Sequence, residues 1–240
     1  MINLINLKTV LRNKRFLIFT IIFPAVWFIF MDIGIGSFAK NLVTVWFIIS
    51  ALMGIIGNSI VTFGKRVGNS KEYYLIAIKT TPYSPFKWIM DDMLQQMLLN
   101  LLILCILTFE AIILGAISLN LSIILPLIII LLSLGMYLSF IGFLIGVICK
   151  VDLLDIAGFP LMCVVALFIT PFYTFVQNKF FDVVTDIQKL FPGYYVIKLA
   201  NAIQNGGSYD KLIWLFVITF VVHLSIILFL FFRAIKKGIQ

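Results

Sequence analysis

The chain has 240 residues, of which 62% are hydrophobic and only 12% are charged, and its mean hydropathy is +1.15. A soluble domain is about half apolar and about a quarter charged, so this composition excludes a water-soluble enzyme or binding module and predicts a polytopic membrane protein. The net charge of +8 is typical of Lys and Arg gathered on the cytoplasmic side of a membrane and does not indicate a nucleic-acid partner.

The first predicted element is a basic, leucine-containing leader over residues 1–15. Lys8, Arg12 and Arg15 recur at spacings of four and three, on a different helical face from the leucines. This pattern predicts an interfacial amphipathic helix that lies in the headgroup layer and contacts membrane lipid. The alternative is an ordinary basic flank of the first membrane span.

Six apolar segments are long enough to cross the hydrocarbon, which requires about 20 residues of helix. They cover residues 16–35, 42–63, 93–117, 121–149, 156–176 and 212–232. The predicted fold class is an all-α integral membrane protein with six transmembrane helices in a single domain, residues 1–240. Pro24 lies within the first span and predicts a kink there, because proline donates no backbone hydrogen bond.

The distribution of basic residues predicts the orientation of these spans. With the N-terminus inside, the inner segments contain 13 of the 18 Lys and Arg residues and the outer segments contain 5. This asymmetry predicts a multi-pass protein of the plasma membrane with both termini cytoplasmic.

The segment over residues 65–90 joins the second and third spans on the predicted cytoplasmic side. Glu72 and Lys79 are spaced for one helix, which Pro82 ends because proline cannot continue it without cost. Ser84 and Pro85 then suit the N-cap and the first position of a new helix. The pattern predicts a short cytoplasmic helix across the ends of two spans, a turn, and then the third span.

The fifth and sixth spans are joined by residues 177–210, a segment too apolar for a free loop. Phe180, Phe181 and Ile187 are helically spaced, Pro192 breaks the pattern, and a second helix is predicted from Tyr194. We interpret the segment as a re-entrant outer helical hairpin, since irregular backbone inside a membrane must be covered by protein or water. The alternative is an interfacial cap with an aromatic belt.

Two ionisable residues lie within predicted spans and away from the span ends, where such groups are functional candidates by default. Glu110 lies in the outer part of the third span, where it would bind a cationic substrate or simply sit near the outer headgroups. His223 lies in the sixth span and is more typical of a helix-packing hydrogen bond than of a metal site.

Two pairs of aspartates lie near the predicted inner ends of spans, and a glycine pair lies in the fourth span. Asp91 and Asp92 are adjacent, so they diverge on a helix, and are interpreted as solvated charges at a helix N-terminus. Asp152 and Asp155 are interpreted in the same way, as caps of the fifth span. Gly142 and Gly146 form a G-x-x-x-G pattern, which allows close helix packing within the chain or across a dimer.

These features together resemble the ABC-2 type permeases of ABC transporters. The resemblance rests on the basic leader, Pro24, the six spans, the long outer segment, and the run KEYYL…TPYS that begins at Lys71. Where the family often has Glu-x-Gly-Thr, residues 65–70 read KRVGNS. The resemblance implies that the segment between spans two and three is a coupling helix, which docks on a separate ATPase subunit.

The resemblance also implies roles for individual residues. Those expected to couple the chain to the ATPase are Lys71, Glu72, Tyr73, Tyr74, Leu75 and Ile78, with Asp152 and Asp155 in a second, smaller contact. Those expected in the translocation path or outer gate are Glu110, Phe172, Tyr173, Phe180, Phe181, Pro192, Tyr194 and Tyr195.

The implied function is export of an amphipathic or lipophilic cargo, such as a drug, an antimicrobial peptide or a lipid-linked molecule. The chain would pair with a second permease chain as a homodimer or heterodimer. The sequence contains no G-x-x-x-x-G-K-[ST] and no metal-ligand cluster, so ATP and Mg²⁺ are expected in the partner subunit. The alternatives are an ATP-independent membrane immunity protein or channel-like carrier, and an intramembrane enzyme that uses Glu110 or His223.

Overall fold

The computed structural model describes residues 12, 14–35, 43–115, 120–170, 178–205 and 207–239, and within these ranges the regular structure is helical, with no strand. The predicted leader residue Lys8 and the predicted gate residues Phe172 and Tyr173 lie outside the described residues. The α-helices are α1 Lys14–Leu17, α2 Phe23–Ile35, α3 Val43–Ile56, α4 Phe63–Thr80, α5 Pro85–Ile113, α6 Leu121–Ile148, α7 Val151–Ile169, α8 Lys179–Gln188, α9 Pro192–Asn205 and α10 Asp210–Ile239.

Five helices in the described part of the chain are long and apolar enough to cross a membrane. They are Val45–Thr80, Pro85–Ile113, Leu121–Ile148, Val151–Ile169 and Asp210–Lys236. The predicted all-helical membrane class is thereby confirmed. The sixth crossing stays a prediction, because the remaining apolar helix, Thr20–Gly34, is shorter.

A π-helical turn, Ile18–Ile22, joins α1 to α2 directly before Pro24. Pro24 has no N–H to donate to the Thr20 carbonyl. The backbone N–H of the residue before it, Phe23, donates to the oxygen of Ile18, which is five residues back and not four. The missing donor of Pro24 is therefore accommodated by a wider turn. Gly54 of α3 packs here, since a Cβ at this position would lie 3.0 Å from the Thr20 oxygen.

The second span continues without a break into the predicted coupling segment. A π-helical turn, Gly57–Thr62, connects α3 to α4, and α4 runs on to Thr80. The prediction of a separate short helix lying across two span ends is therefore wrong: residues 71–80 are the far end of the candidate span Val45–Thr80. The predicted restart is confirmed, because Ser84 caps α5 by accepting from the Lys87 backbone N–H at 3.2 Å, with Pro85 first in the helix.

The G-x-x-x-G of α6 packs within the chain. A Cβ on Gly142 would overlap the backbone oxygen of Ser59, and one on Gly146 would lie 2.9 Å from the Cβ of Val67. The facing helix contributes Gly64, whose own Cβ would lie 3.2 Å from the Gly142 oxygen. Small residues on both helices thus let two backbones touch, as is common between membrane helices.

Helix α7 begins at Val151, five residues before its predicted start, and Lys150 is its N-cap residue without a side-chain capping bond. The predicted place of Asp152, a solvated charge at the N-terminus of this helix, is confirmed, whereas the same interpretation of Asp155 is wrong. Asp152 lies exposed in the first turn. Asp155 forms an ion pair with Lys65 of α4, so it ties the N-terminal part of α7 to the N-terminal part of α4.

The two helices predicted within residues 177–210 are present as α8 and α9. Asn178 caps α8 by accepting from the Phe180 backbone N–H at 3.3 Å. Gln188 at the end of α8 is buried, and its amide donates to the carbonyls of Leu167 and Thr170 at 2.7 and 2.9 Å. It thereby satisfies acceptors at the C-terminal end of α7, which would otherwise lack donors.

Candidate functional site

The candidate site is built around the arm, defined as residues 71–80 at the far end of α4. The candidate span Val45–Thr80 has 36 residues, which corresponds to about 54 Å of helix at 1.5 Å per residue. The hydrocarbon of a bilayer is about 30 Å thick, so a helix of this length has about 24 Å to spare. The polar residues lie at the Thr80 end, so the excess length lies at this end, and the arm is its last part.

One side of the arm is exposed and carries two large apolar residues. Tyr73 is 69% exposed and Ile76 is 61% exposed, and the Glu72 side chain is exposed beside them. Their spacing places them on neighbouring rows of a single helical face. Lys71 and Leu75, also predicted to couple, are partly buried.

The other side of the arm is fixed to the start of α5 by aromatic stacking. The ring of Tyr74 lies 4.7 Å from that of Trp88 at an angle of 18°, and 5.9 Å from that of Tyr83. Ile78 packs against the core below them. The predicted coupling residues thus fall into two groups, an exposed face and an anchored face, and Tyr74 and Ile78 belong to the anchored one.

Trp88 connects the arm to two further helices. Its buried ring makes edge contacts with Phe143 of α6 at 5.1 Å and with Phe231 of α10 at 6.2 Å. Phe143 and Phe231 are themselves 5.2 Å apart. A displacement of the arm would therefore be transmitted through Tyr74 and Trp88 to three other helices, α5, α6 and α10, since close-packed rings transmit strain.

A buried polar group lies beside Trp88 and corrects the interpretation of Asp92. Asp92 is only 5% exposed and accepts a hydrogen bond from the Trp88 indole at 2.9 Å. It is a buried charge, not a solvated one. On the neighbouring helix, Arg66 donates to Gln96 at 3.3 Å, and its guanidinium lies over the Phe63 ring at 4.8 Å.

Asp91 fixes the turn between the arm and α5. Its carboxylate accepts from the Tyr83 hydroxyl at 2.9 Å. Burial and this hydrogen bond raise the pKa of Tyr83 above its ordinary value, so the phenol stays protonated and keeps donating at physiological pH. The turn is therefore held by both a ring stack and a hydrogen bond.

Further along the helices, four side chains form a polar centre between three helices: Asn58, Ser59, Asn100 and Ser139. The Asn100 amide accepts from Asn58 at 2.7 Å and donates to Ser59 at 3.0 Å. Ser139 donates to the Gly135 carbonyl at 2.6 Å and lies 3.1 Å from the Ser59 hydroxyl. All four are at most 1% exposed, so they hold the helix Val45–Thr80, α5 and α6 in one register.

This polar centre was not predicted from the sequence. Asn58 and Ser59 are adjacent, and adjacent residues on an α-helix point about 100° apart, so they do not suggest a shared site. The π-helical turn Gly57–Thr62 changes this geometry, and Asn58, Ser59 and Ile60 are all buried there. Such turns are rare and often mark functional positions. The polar residues within otherwise apolar spans were the sequence signal that could have indicated this centre.

In α8 and α9, the predicted gate residues separate into exposed and packed ones. Phe180 is 64% exposed and touches Phe181 edge-on at 5.4 Å. Pro192 is buried at the start of α9, and Tyr194 and Tyr195 are buried after it. The Tyr195 hydroxyl donates to the Lys189 carbonyl at 2.9 Å. The two tyrosines are therefore packing residues that fix the hairpin.

The two ionisable residues predicted within spans have different surroundings. Both carboxylate oxygens of Glu110 are buried, and neither has a hydrogen-bond donor in the described part of the chain. The His223 ring bonds to the Thr219 carbonyl of its own helix at 2.8 Å and packs near Phe191 and Tyr137. His223 therefore acts as a packing residue.

Comparison of the chain with protein-family models, with curated proteins and with solved structures finds no match. Within the described ranges, no three His, Cys, Asp or Glu side chains are grouped closely enough to hold a metal ion.

Proposed function

We propose that this chain is the membrane-spanning permease subunit of an ABC exporter, driven by ATP hydrolysis in a separate subunit that docks on the arm. The observation that carries the proposal is the exposed apolar face of the arm, formed by Tyr73 and Ile76 beside Glu72. It lies on the polar end of a helix that is too long for the bilayer. Exposed apolar groups outside the hydrocarbon are characteristic of protein interaction surfaces.

The anchored side of the arm supports the same proposal. A docking helix that transmits force must be firmly connected to the spans that it moves. Tyr74 stacks on Trp88, which in turn contacts α6 and α10. A push on the exposed face would therefore reach four spanning helices. An ATP-independent immunity protein or carrier needs no such connection.

The charge distribution supports a cytoplasmic arm. Lys65, Arg66, Lys71 and Lys79 lie on or near it, and Arg233 lies at the same end of α10 as Phe231, which contacts Trp88. We propose six spans, with α1 and α2 supplying the first and Arg12 and Arg15 at its inner flank. Both termini are then cytoplasmic, in the plasma membrane.

The α8–α9 pair supports an outer re-entrant hairpin in this arrangement. Cargo would pass between this chain and a second permease chain and leave beside the hairpin. The aromatic and aliphatic side chains exposed on α8, such as Phe180, suit an amphipathic or lipophilic cargo. Glu110, with two buried and unpaired oxygens, is a candidate for contact with a cationic group, since an unpaired buried carboxylate is costly.

We predict that changing the exposed face of the arm abolishes ATPase capture without unfolding the chain. The variant combines Glu72→Lys, Tyr73→Ala and Ile76→Ala, and the measurement is affinity purification in mild detergent with quantitative mass spectrometry. A chain that has a P-loop and hydrolyses ATP should co-purify with the wild type. Its recovery from the variant should fall at least about tenfold, the effect of removing one good anchor residue.

The matched control carries the same kind of change at the other end of the molecule. Asp182→Lys, Phe180→Ala and Val183→Ala alter exposed residues of α8 and should leave ATPase recovery unchanged. Recovery that is equal from the arm variant and the wild type would refute docking on the arm. A wild-type chain that captures no ATPase, even after gentle crosslinking, would favour an ATP-independent membrane protein.

A further inference from the structure

The turn between α8 and α9 lies beside the middle of a spanning helix. Phe191 in this turn has its ring 5.2 Å from that of His223 and 5.0 Å from that of Phe168 in α7. His223 is the central residue of the candidate span Asp210–Lys236, about 20 Å along the helix from Asp210 at 1.5 Å per residue. If α10 crosses the bilayer, the turn therefore lies well below the outer headgroups.

Two charged side chains are exposed at this depth. Asp186, in the last turn of α8, accepts from the Lys189 ammonium group at 2.6 Å, and the two side chains are 72% and 50% exposed. Asp182 lies one helical turn before Asp186 and is also exposed. These three residues form the polar stripe, which follows one face of α8 and ends at Lys189, directly after the helix.

A separate, apolar stripe follows another face of α8 and ends at Leu190, in the turn after the helix. Phe180, Val183, Ile187 and Leu190 recur at spacings of three and four, and all are between 44% and 64% exposed. Helix α8 therefore presents a lipid-like surface and a charged surface at the same depth. Hydrocarbon would satisfy the first stripe, but it cannot solvate the carboxylates of the second.

We propose that the polar stripe, Asp182, Asp186 and Lys189, lines a water-filled cleft that enters the molecule from the outer side beside the hairpin. Exposed charges at membrane depth are tolerated where they face water or another protein group. The role of this cleft rests on the proposed function: in an exporter, it would be the outer part of the cargo path. The packed residues Tyr194 and Tyr195 would lie behind its wall.

Cysteine accessibility from outside intact cells tests the proposal. Single cysteines replace Asp182, Asp186, Lys189, Ile187 or Leu190 in a chain whose Cys105, Cys149 and Cys163 are changed to alanine. A membrane-impermeant thiol reagent reacts with the thiolate, which forms in water and not against hydrocarbon. Ser208→Cys, in the exposed connection before α10, supplies the reference rate.

We expect the polar-stripe cysteines to react within about tenfold of the reference, and the Ile187 and Leu190 cysteines to react at least about tenfold more slowly than the polar stripe. Asp182→Cys keeps the Asp186–Lys189 ion pair and so serves if the other two variants are poorly produced. Unreactive polar-stripe cysteines beside a reactive reference would overturn the proposal. Equal reaction of both stripes would also overturn it, because the helix would then lie in bulk water.

The labelling needs this chain alone and no ATPase. A missing ATPase partner would therefore count against the proposed function and leave the cleft in place. An unreactive polar stripe would count against the cleft and leave docking on the arm in place.

Discussion

Replacement of Gly142 by alanine should destabilise the chain more than any other single methyl addition to its described helices. The added Cβ would overlap the backbone oxygen of Ser59. A flexible side chain can turn away from such a contact, but a backbone carbonyl inside a helix cannot. The two helices would have to separate, which also strains the polar centre, because Ser59 is part of it. We expect a loss of about 3 kcal/mol, the upper end of the usual cost of overpacking.

The measurement is unfolding of the purified chain in mixed micelles against increasing SDS fraction. Gly34→Ala in α2 is the matched control, because a Cβ at that position meets no atom within 4 Å. Alanine is also the better helix former, so this control should unfold at the same SDS fraction as the wild type or a higher one. An unchanged midpoint for Gly142→Ala would show that the two backbones do not touch as described.

Replacement of Asn100 by leucine should cause the next largest loss. Asn100 is the residue of the polar centre that bonds to both Asn58 and Ser59. Leucine has the same branched arrangement of four non-hydrogen atoms, but its methyl groups are larger and form no hydrogen bonds, so Asn58 and Ser59 are left short of a partner. Hydrogen bonds between membrane helices contribute modestly, while buried unsatisfied groups cost about 1–3 kcal/mol. We expect a loss of about 2 kcal/mol.

A double-mutant cycle with Ser139→Ala tests whether the centre acts as one network. Residues that share partners show non-additive effects, so the double variant should lose less than the sum of the single variants. Ser133→Ala is the control, because the Ser133 hydroxyl bonds to the Ile129 carbonyl of its own helix. Additive losses would indicate that Asn100 and Ser139 act independently.

Much of the architecture could be predicted from local patterns. The apolar segments gave helices close to their predicted ranges, and Ser84-Pro85 marked the start of α5 because capping is a local property. Gly142 and Gly146 signalled close packing, although the spacing alone did not say with which helix. The break at Pro192 marked the start of α9 for the same local reason.

The errors arose where partners come from distant segments. Asp92 looked like a solvated charge because its own helix supplies only the hydrogen bond from Trp88, one turn earlier, and the neighbouring helix with Arg66 comes from a distant segment. Asp155 looked like a cap because its partner, Lys65, is far away in sequence.

The continuity of the second helix into the arm was also missed. The polar run at residues 65–70 reads as a loop, but Lys65 is paired there, while Gly68 packs against α6 and α7. Tertiary contacts thus stabilise a helix that its composition does not favour.

Site-specific photo-crosslinking is the most direct test of the central claim, which is that an ATPase docks on the exposed face of the arm. A photoreactive phenylalanine analogue replaces Tyr73 in one variant and Phe180 in another, since both are similarly exposed aromatic residues at opposite ends of the molecule. If an ATPase docks on the arm, we expect irradiation in cells to join position 73, and not position 180, to a P-loop ATPase. Adducts at position 73 that contain no ATPase, from a chain that is folded and in the membrane, would contradict this claim.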